Sequence, residues 1–298
     1  MRALPVLNYT YVMPFEIQKY LADRKTKIEA ALSACLPDEN ACPPNLSAAM
    51  RHAVFTGGKR LRPILCMAAA EAAGGSHDSA LYPACAVELL HTYTLVHDDL
   101  PCMDNDLTRR GQPTVHVKYG EAVAVLAGDA LLTLAFEVLA RTPETRPGLT
   151  ARLVGELAAA TGASGVIAGQ VDDIGFIGNA SREIVERVFR HKTADLFRAA
   201  VRLGALAANA DDEVLDKLSV FAEGLGMAFQ ITDDLLDAAE KNADKHEELS
   251  CLCVMSAADA RAWAASQTSA ALAALQELPG GPPEALSEIA RLLLNRQH

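Results

Sequence analysis

The chain has 298 residues, half of them apolar and 5% aromatic, enough for one large domain or two small ones. Alanine and leucine dominate and β-branched runs are few, so an all-α fold is expected. The formal net charge is −11, from 38 acidic and 27 basic residues, which excludes the basic footprint of a nucleic-acid-binding surface.

Residues 1–13 read as a loose arm without the apolar run and small-residue cleavage site of a signal peptide. From 15 to 36, Ile17, Tyr20, Leu21, Ile28 and Leu32 recur at helical spacing. A proline-bearing loop leads to a short helix over 46–55, closed by Thr56-Gly57-Gly58. Residues 64–73 are nearly all apolar and predict a buried helix closed by Gly74-Gly75. A long helix over 80–100 follows, then a loop over 108–113 and a second long helix over 120–140. Its apolar run breaks at Asp129, as that of 64–73 breaks at Glu71, so no transmembrane helix is predicted. Residues 152–170 carry four glycines, which permit close helix approach or a kink. Helices over 183–206, 213–236, 261–278 and 284–294 complete the chain, with a charged loop over 238–249. No repeat or linker composition stands out, so 1–298 reads as one domain, an antiparallel helical bundle. The seven cysteines show no C-x-x-C pair, which argues against a disulfide framework or zinc site and for a reducing, cytoplasmic compartment.

Two acidic stretches interrupt this apolar pattern: His97-Asp98-Asp99-Leu100-Pro101-Cys102-Met103-Asp104 and Asp233-Asp234-Leu235-Leu236-Asp237. Two unit charges ~6 Å apart repel by roughly 3 kcal/mol at an effective dielectric of ~20, so gathered carboxylates need cations. Aspartate oxygens suit Mg²⁺, which shares its shell with substrate phosphates. Positions 233, 234 and 237 fall within about 100° of arc on one helix face. Asp98 and Asp104 are about 120° apart on an ideal helix, and Pro101 breaks it. Pro101-Cys102 therefore reads as a two-residue bulge that returns Asp104 to the face of Asp98.

Cations complement these carboxylates. Gly57-Gly58-Lys59-Arg60-Leu61-Arg62-Pro63 is a turn in which glycine lets backbone approach a phosphate and Arg forks match its oxygens. Arg109-Arg110 follows the first acidic stretch. Lys192-Thr193 lies among apolar residues, where a lysine needs a partner. His91 shares a helical stripe with Leu95 and Asp98, and Gln230 lies on the face of Asp233.

Together HDDLPCMDND…RRGQPT, GGKRLRP, GQVDD, HKT and FQITDDLLD resemble the trans-prenyl diphosphate synthases, the farnesyl and geranylgeranyl diphosphate synthase group, over residues 45–237. The resemblance implies an all-α, isoprenoid-synthase-type bundle around a central cavity, usually a homodimer. It implies that Asp98, Asp99 and Asp104 face Asp233, Asp234 and Asp237 and that these hold up to three Mg²⁺ on an allylic diphosphate (dimethylallyl, geranyl or farnesyl). By the same resemblance Arg109, Lys192, Thr193 and Gln230 contact that substrate, and Lys59, Arg62, His91 and Arg110 bind isopentenyl diphosphate. Head-to-tail condensation of the two substrates is the implied reaction.

In this family the residues five and four before the first aspartate set product length. Here they are Tyr93 and Thr94, and a bulky Tyr93 predicts a product near C15, farnesyl diphosphate. The alternatives are geranylgeranyl diphosphate (C20) and a non-catalytic subunit that modulates an active synthase. The second alternative rests on a departure. After Asp237 the family's glycine- and lysine-bearing loop is replaced by AAEKNADKHEELSCLCVMS, with Glu248 near the expected lysine and Lys241 or Lys245 as substitutes.

Overall fold

The computed structural model describes residues 15–38, 40–176, 180–240 and 249–294. Its helices are α1 (Ile17–Cys35), α2 (Pro44–Phe55), α3 (Leu61–Ala72), α4 (Leu81–Asp98), α5 (Val115–Tyr119), α6 (Glu121–Ala140) and α7 (Leu149–Thr161). Then come α8 (Val166–Ile174), α9 (Arg182–Val188), α10 (Asp195–Ala207), α11 (Asp212–Glu240), α12 (Ala257–Gln276) and α13 (Glu284–Leu294). One small antiparallel hairpin, β1 (Thr108–Arg109) with β2 (Gln112–Pro113), is the only sheet among the described residues. The fold is all-α, as the composition predicts.

The centre is α10, and its sequence explains why. DLFRAAVRLGALA buries Leu196, Phe197, Val201, Leu203 and Leu206, on positions around most of the helix. A helix apolar on most sides must be enclosed. It is packed by α3, α4, α7 and α11. Next to it α4 buries the run from Pro83 to Leu90 against α3 and α6. A second, smaller core lies between α9, α11 and α12, where Val188, Phe189, Met227, Ile231 and Trp263 meet.

Several boundaries differ from the expectations. The stretch over 108–113 is a hairpin, and α5 is a further short helix that its five residues made too brief for periodicity to show. The four-glycine region is divided between α7 and α8 at 162–165. The helix expected over 183–206 is interrupted by a π-helical segment, Phe189–Ala194. The helix carrying the second acidic stretch runs on to Glu240 instead of ending at Leu236. By length and composition α6 could cross a bilayer, so Asp129 does not disqualify it as expected. In the fold its stripe Ala124, Ala127, Leu131, Leu134 and Val138 is buried, and it packs against α4. The arm over 1–13 and the loop positions Lys241, Lys245 and Glu248 lie outside the described residues.

Candidate active site

α4 delivers the first acidic stretch. Leu100 precedes a proline and is biased away from helix, and α4 stops at Asp98. The Asp104 N–H then donates to the Asp98 carbonyl at 2.9 Å. In a regular helix the residue four positions on makes that bond; here the residue six on makes it. Two residues are looped out, as Pro101-Cys102 predicted. Burial pushes the Asp98 carboxyl up to about 7; Lys192 opposes this and Asp104 adds to it. Asp99 is buried and turned elsewhere: it accepts from Arg109 Nε at 2.7 Å and lies 2.6 Å from Arg109 Nη2.

The π-helical segment supplies the opposing cation. Wide turns of this kind recur at functional sites. A Cβ on Gly169 would sit 2.2 Å from the Lys192 nitrogen, so only glycine lets α8 lie this close. Lys192 Nζ bonds Asp173 on α8. Burial works against its charge, yet Asp173, Asp98 and Asp104 together raise the lysine above its ordinary range. The next residue, Thr193, donates to Gln230 Oε1 at 2.7 Å, and Gln230 Nε2 donates to Asp234 Oδ1 at 3.1 Å. Asp234 Oδ2 accepts from Ser250 Oγ at 2.9 Å and from the Cys251 N–H at 2.7 Å. The π segment thus joins the two acidic stretches: Lys192 faces the first, and Thr193 reaches the second through Gln230.

The basic turn forms a second site. Gly57 and Gly58 have φ of +108° and +135°, which glycine alone adopts readily. Arg110 and Gly111, the two residues of the hairpin turn, have φ of +53° and +74°, the signature of a tight type I′ turn. Arg110 Nη1 donates to the Gly57 carbonyl. Arg62, second residue of α3, lies 4.6 Å above the Phe197 ring and donates from Nη1 to His91 Nε2 at 3.3 Å. Guanidinium only donates, so the His91 proton sits on Nδ1. Burial lowers Arg62 to about 10, with Glu88 opposing and Arg110 assisting. Burial and the nearby arginines 62, 110, 109 and 60 hold His91 well below its ordinary range. This cluster of cations repels itself, and an anion would relieve it.

The remaining expected residues fall as follows. Lys59 is exposed in the turn, and Asp233 and Asp237 lie on α11, Asp237 exposed. Tyr93 is buried on α4, edge-on to His97 with ring centroids 5.7 Å apart. Thr94 caps the His91 carbonyl on the same helix. Sequence reasoning left Asp173, Ser250 and Glu88 without roles and read Arg60 as a phosphate-facing cation, whereas it is buried against Glu88. Asp173 carried the same signal as the acidic stretches, carboxylates in an apolar helix.

Among the described residues no three His, Cys, Asp or Glu side chains form a ready-made metal group. A Mg²⁺ held here would draw on one or two carboxylates and complete its shell with water and phosphate oxygens. The donor set is hard oxygen, and the raised Asp98 carboxyl is the group a cation would relieve.

A family model described as Polyprenyl synthetase matches residues 43–255, and the chain belongs to that family. It is similar to geranylgeranyl pyrophosphate synthase 7, chloroplastic, of Arabidopsis thaliana, at 43% identity over 77% of this chain and 67% of that one. It is similar to a dimethylallyltranstransferase of Fischerella ambigua, at 46% identity over 77% and 67% of the two chains. Among solved structures, an FPP/GFPP synthase from Zymomonas mobilis superposes with a TM-score of 0.85 at 34% identity, covering 93% of this chain and 98% of that one. The chain spans about two thirds of the length of these curated relatives.

Proposed function

We propose that this protein is a Mg²⁺-dependent trans-prenyl diphosphate synthase that joins isopentenyl diphosphate to an allylic diphosphate. One observation carries the reading: two cationic sites meet at one end of α4, one facing carboxylates and one made almost wholly of cations. The carboxylate-faced site suits a metal-bridged diphosphate, and the cation cluster suits a diphosphate without metal. Family membership and the names of the relatives support the same reaction class.

Asp98, Asp104, Asp233 and Asp237 would hold Mg²⁺, which supplies positive charge to the departing diphosphate. Lys192, Arg109, Thr193 and Gln230 would orient the allylic diphosphate. Two residues of the expected ligand set have partners within the protein. Asp99 holds Arg109, and Asp234 holds Gln230, the Ser250 hydroxyl and the Cys251 N–H. Both are assigned positioning roles. Arg62, Arg110, Lys59 and the Nδ1–H of neutral His91 would bind isopentenyl diphosphate.

The names of the plant relatives favour geranylgeranyl diphosphate over the C15 product that the bulk of Tyr93 suggests. Val125 and Leu126 on α6, with Ile167, Val171 and Ile174 on α8, are exposed apolar residues, which supports a homodimer. All seven cysteines are free, which suits a reducing compartment such as the cytoplasm; the plant relatives' names place those proteins in the chloroplast.

The test is purified protein with Mg²⁺, isopentenyl diphosphate and dimethylallyl, geranyl or farnesyl diphosphate in turn, with products sized by chromatography. A C20 product is expected. No product from any primer would overturn the reading and favour a modulating subunit.

A further inference from the structure

Arg60 is the one cation of the basic turn that cannot reach a ligand. Its side chain is 1% exposed, the Glu88 side chain opposite it is 4% exposed, and Nη1 lies 2.6 Å from Glu88 Oε1. Nη2 donates to the Val54 carbonyl near the end of α2 at 2.5 Å, and Nε faces Glu29 of α1 at 3.5 Å. Arg60 has φ of +52°, left-handed backbone that a residue with a Cβ adopts at a cost. Something must hold it there, and the fork across Val54 and Glu88 does. Glu88 stands three residues before His91 on α4, and Arg60 stands between Lys59 and Arg62. One buried ion pair therefore fixes the basic turn relative to the histidine that Arg62 bonds.

The other side of the turn is fixed differently. Arg110, also at positive φ, lies across Gly57-Gly58, with its Nη1 2.7 Å from where a Gly58 Cβ would be. Two arginines in left-handed backbone thus clamp the turn: one buried behind it, one exposed in front.

We infer that Arg60, held by Glu88, is the positioning residue for the isopentenyl diphosphate site, setting the turn so that Lys59, Arg62 and His91 converge on one anion. The inference rests on the assignment of that turn to isopentenyl diphosphate. Arg60 touches no substrate and acts through its neighbours.

A buried ion pair can often be replaced by apolar residues of similar size with no loss of stability. The double variant Arg60→Met with Glu88→Met therefore separates positioning from folding. The wild type is first titrated in each substrate with the other saturating; failure to use isopentenyl diphosphate at all would remove the underlying assignment, independently of the variants. Given a working wild type, the double variant should keep its thermal midpoint and its KM for the allylic diphosphate. Its KM for isopentenyl diphosphate should rise roughly 10- to 100-fold, the worth of one misaligned charge-assisted hydrogen bond. Arg60→Lys keeps the charge against Glu88 but loses the fork. It should shift the same KM in the same direction by less, and it decides the matter alone if the double variant does not fold. An unchanged KM for isopentenyl diphosphate, or both KM values rising together, would overturn the inference.

Discussion

Asp99 and Asp98 are adjacent, yet the structure gives them different work, and one substitution series separates them. In Asp99→Asn the buried carboxylate that accepts Nε of Arg109 at 2.7 Å becomes an amide with one acceptor oxygen. The Asp99 side chain is 4% exposed and Arg109 30%. Breaking a fully buried pair costs about 3–5 kcal/mol; the exposure of Arg109 and the surviving amide oxygen reduce this to about 2 kcal/mol. Arg109 also faces Asp106 at 3.4 Å, so it should swing towards that carboxylate and away from the site. The expected result is a KM for the allylic diphosphate raised by about tenfold to thirtyfold, with the Mg²⁺ concentration for half-maximal rate unchanged. Asp98→Asn, in the same assay, should shift the Mg²⁺ requirement. Rates are measured across a Mg²⁺ titration at saturating isopentenyl diphosphate. If Asp99→Asn shifts the Mg²⁺ requirement as Asp98→Asn does, Asp99 is a metal ligand and the assignment to Arg109 is wrong.

Asp98→Ala or Asp233→Ala should abolish turnover with helical circular dichroism retained; turnover within tenfold of wild type would refute their role. Tyr93→Ala should lengthen the product, and an unchanged chain length would remove Tyr93 from the control of product length. His91 sets a pH signature. Its folded pKa is depressed below the unfolded value of about 6.5, so the unfolded chain takes up its proton first. The stability this neutral histidine contributes is present above pH ~6.5 and is lost as pH falls, by at most about 1.4 kcal/mol per pH unit. Denaturant midpoints at pH 7.5 and 5.5 should fall more steeply for wild type than for His91→Gln; equal slopes would contradict it. Gly58→Ala should weaken isopentenyl diphosphate binding by displacing Arg110 and cost about 1 kcal/mol or more in stability, measured by KM and thermal midpoint.

Helical periodicity located most of the long helices because their apolar stripes are local. The acidic stretches were legible for a related reason: charge inside an apolar helix is anomalous wherever the chain goes next. What escaped depends on distant partners. Nothing around Asp234 says that Ser250 and the Cys251 N–H, 16 and 17 residues further on, take one of its oxygens. Arg60 read as one of three equivalent cations because only the fold reveals that Glu88 and Val54 enclose it. The π segment was invisible, since FRHKTA is as compatible with α-helix as its neighbours and its packing against α8 and α11 belongs to the fold.

The bond from the Asp104 N–H to the Asp98 carbonyl makes the first acidic stretch a quantised element. Its loop tolerates length changes only in steps. Removing Pro101 and Cys102 together would convert an i+6 closure into the i+4 closure of an α-helix, extending α4 by a turn with the outer aspartates still on one face. Removing one residue would satisfy neither geometry and would rotate the second carboxylate away by about 100°. Among related chains, insertions at this point should therefore occur as zero or two residues, and a single-residue indel should mark a chain whose two carboxylates no longer share a face.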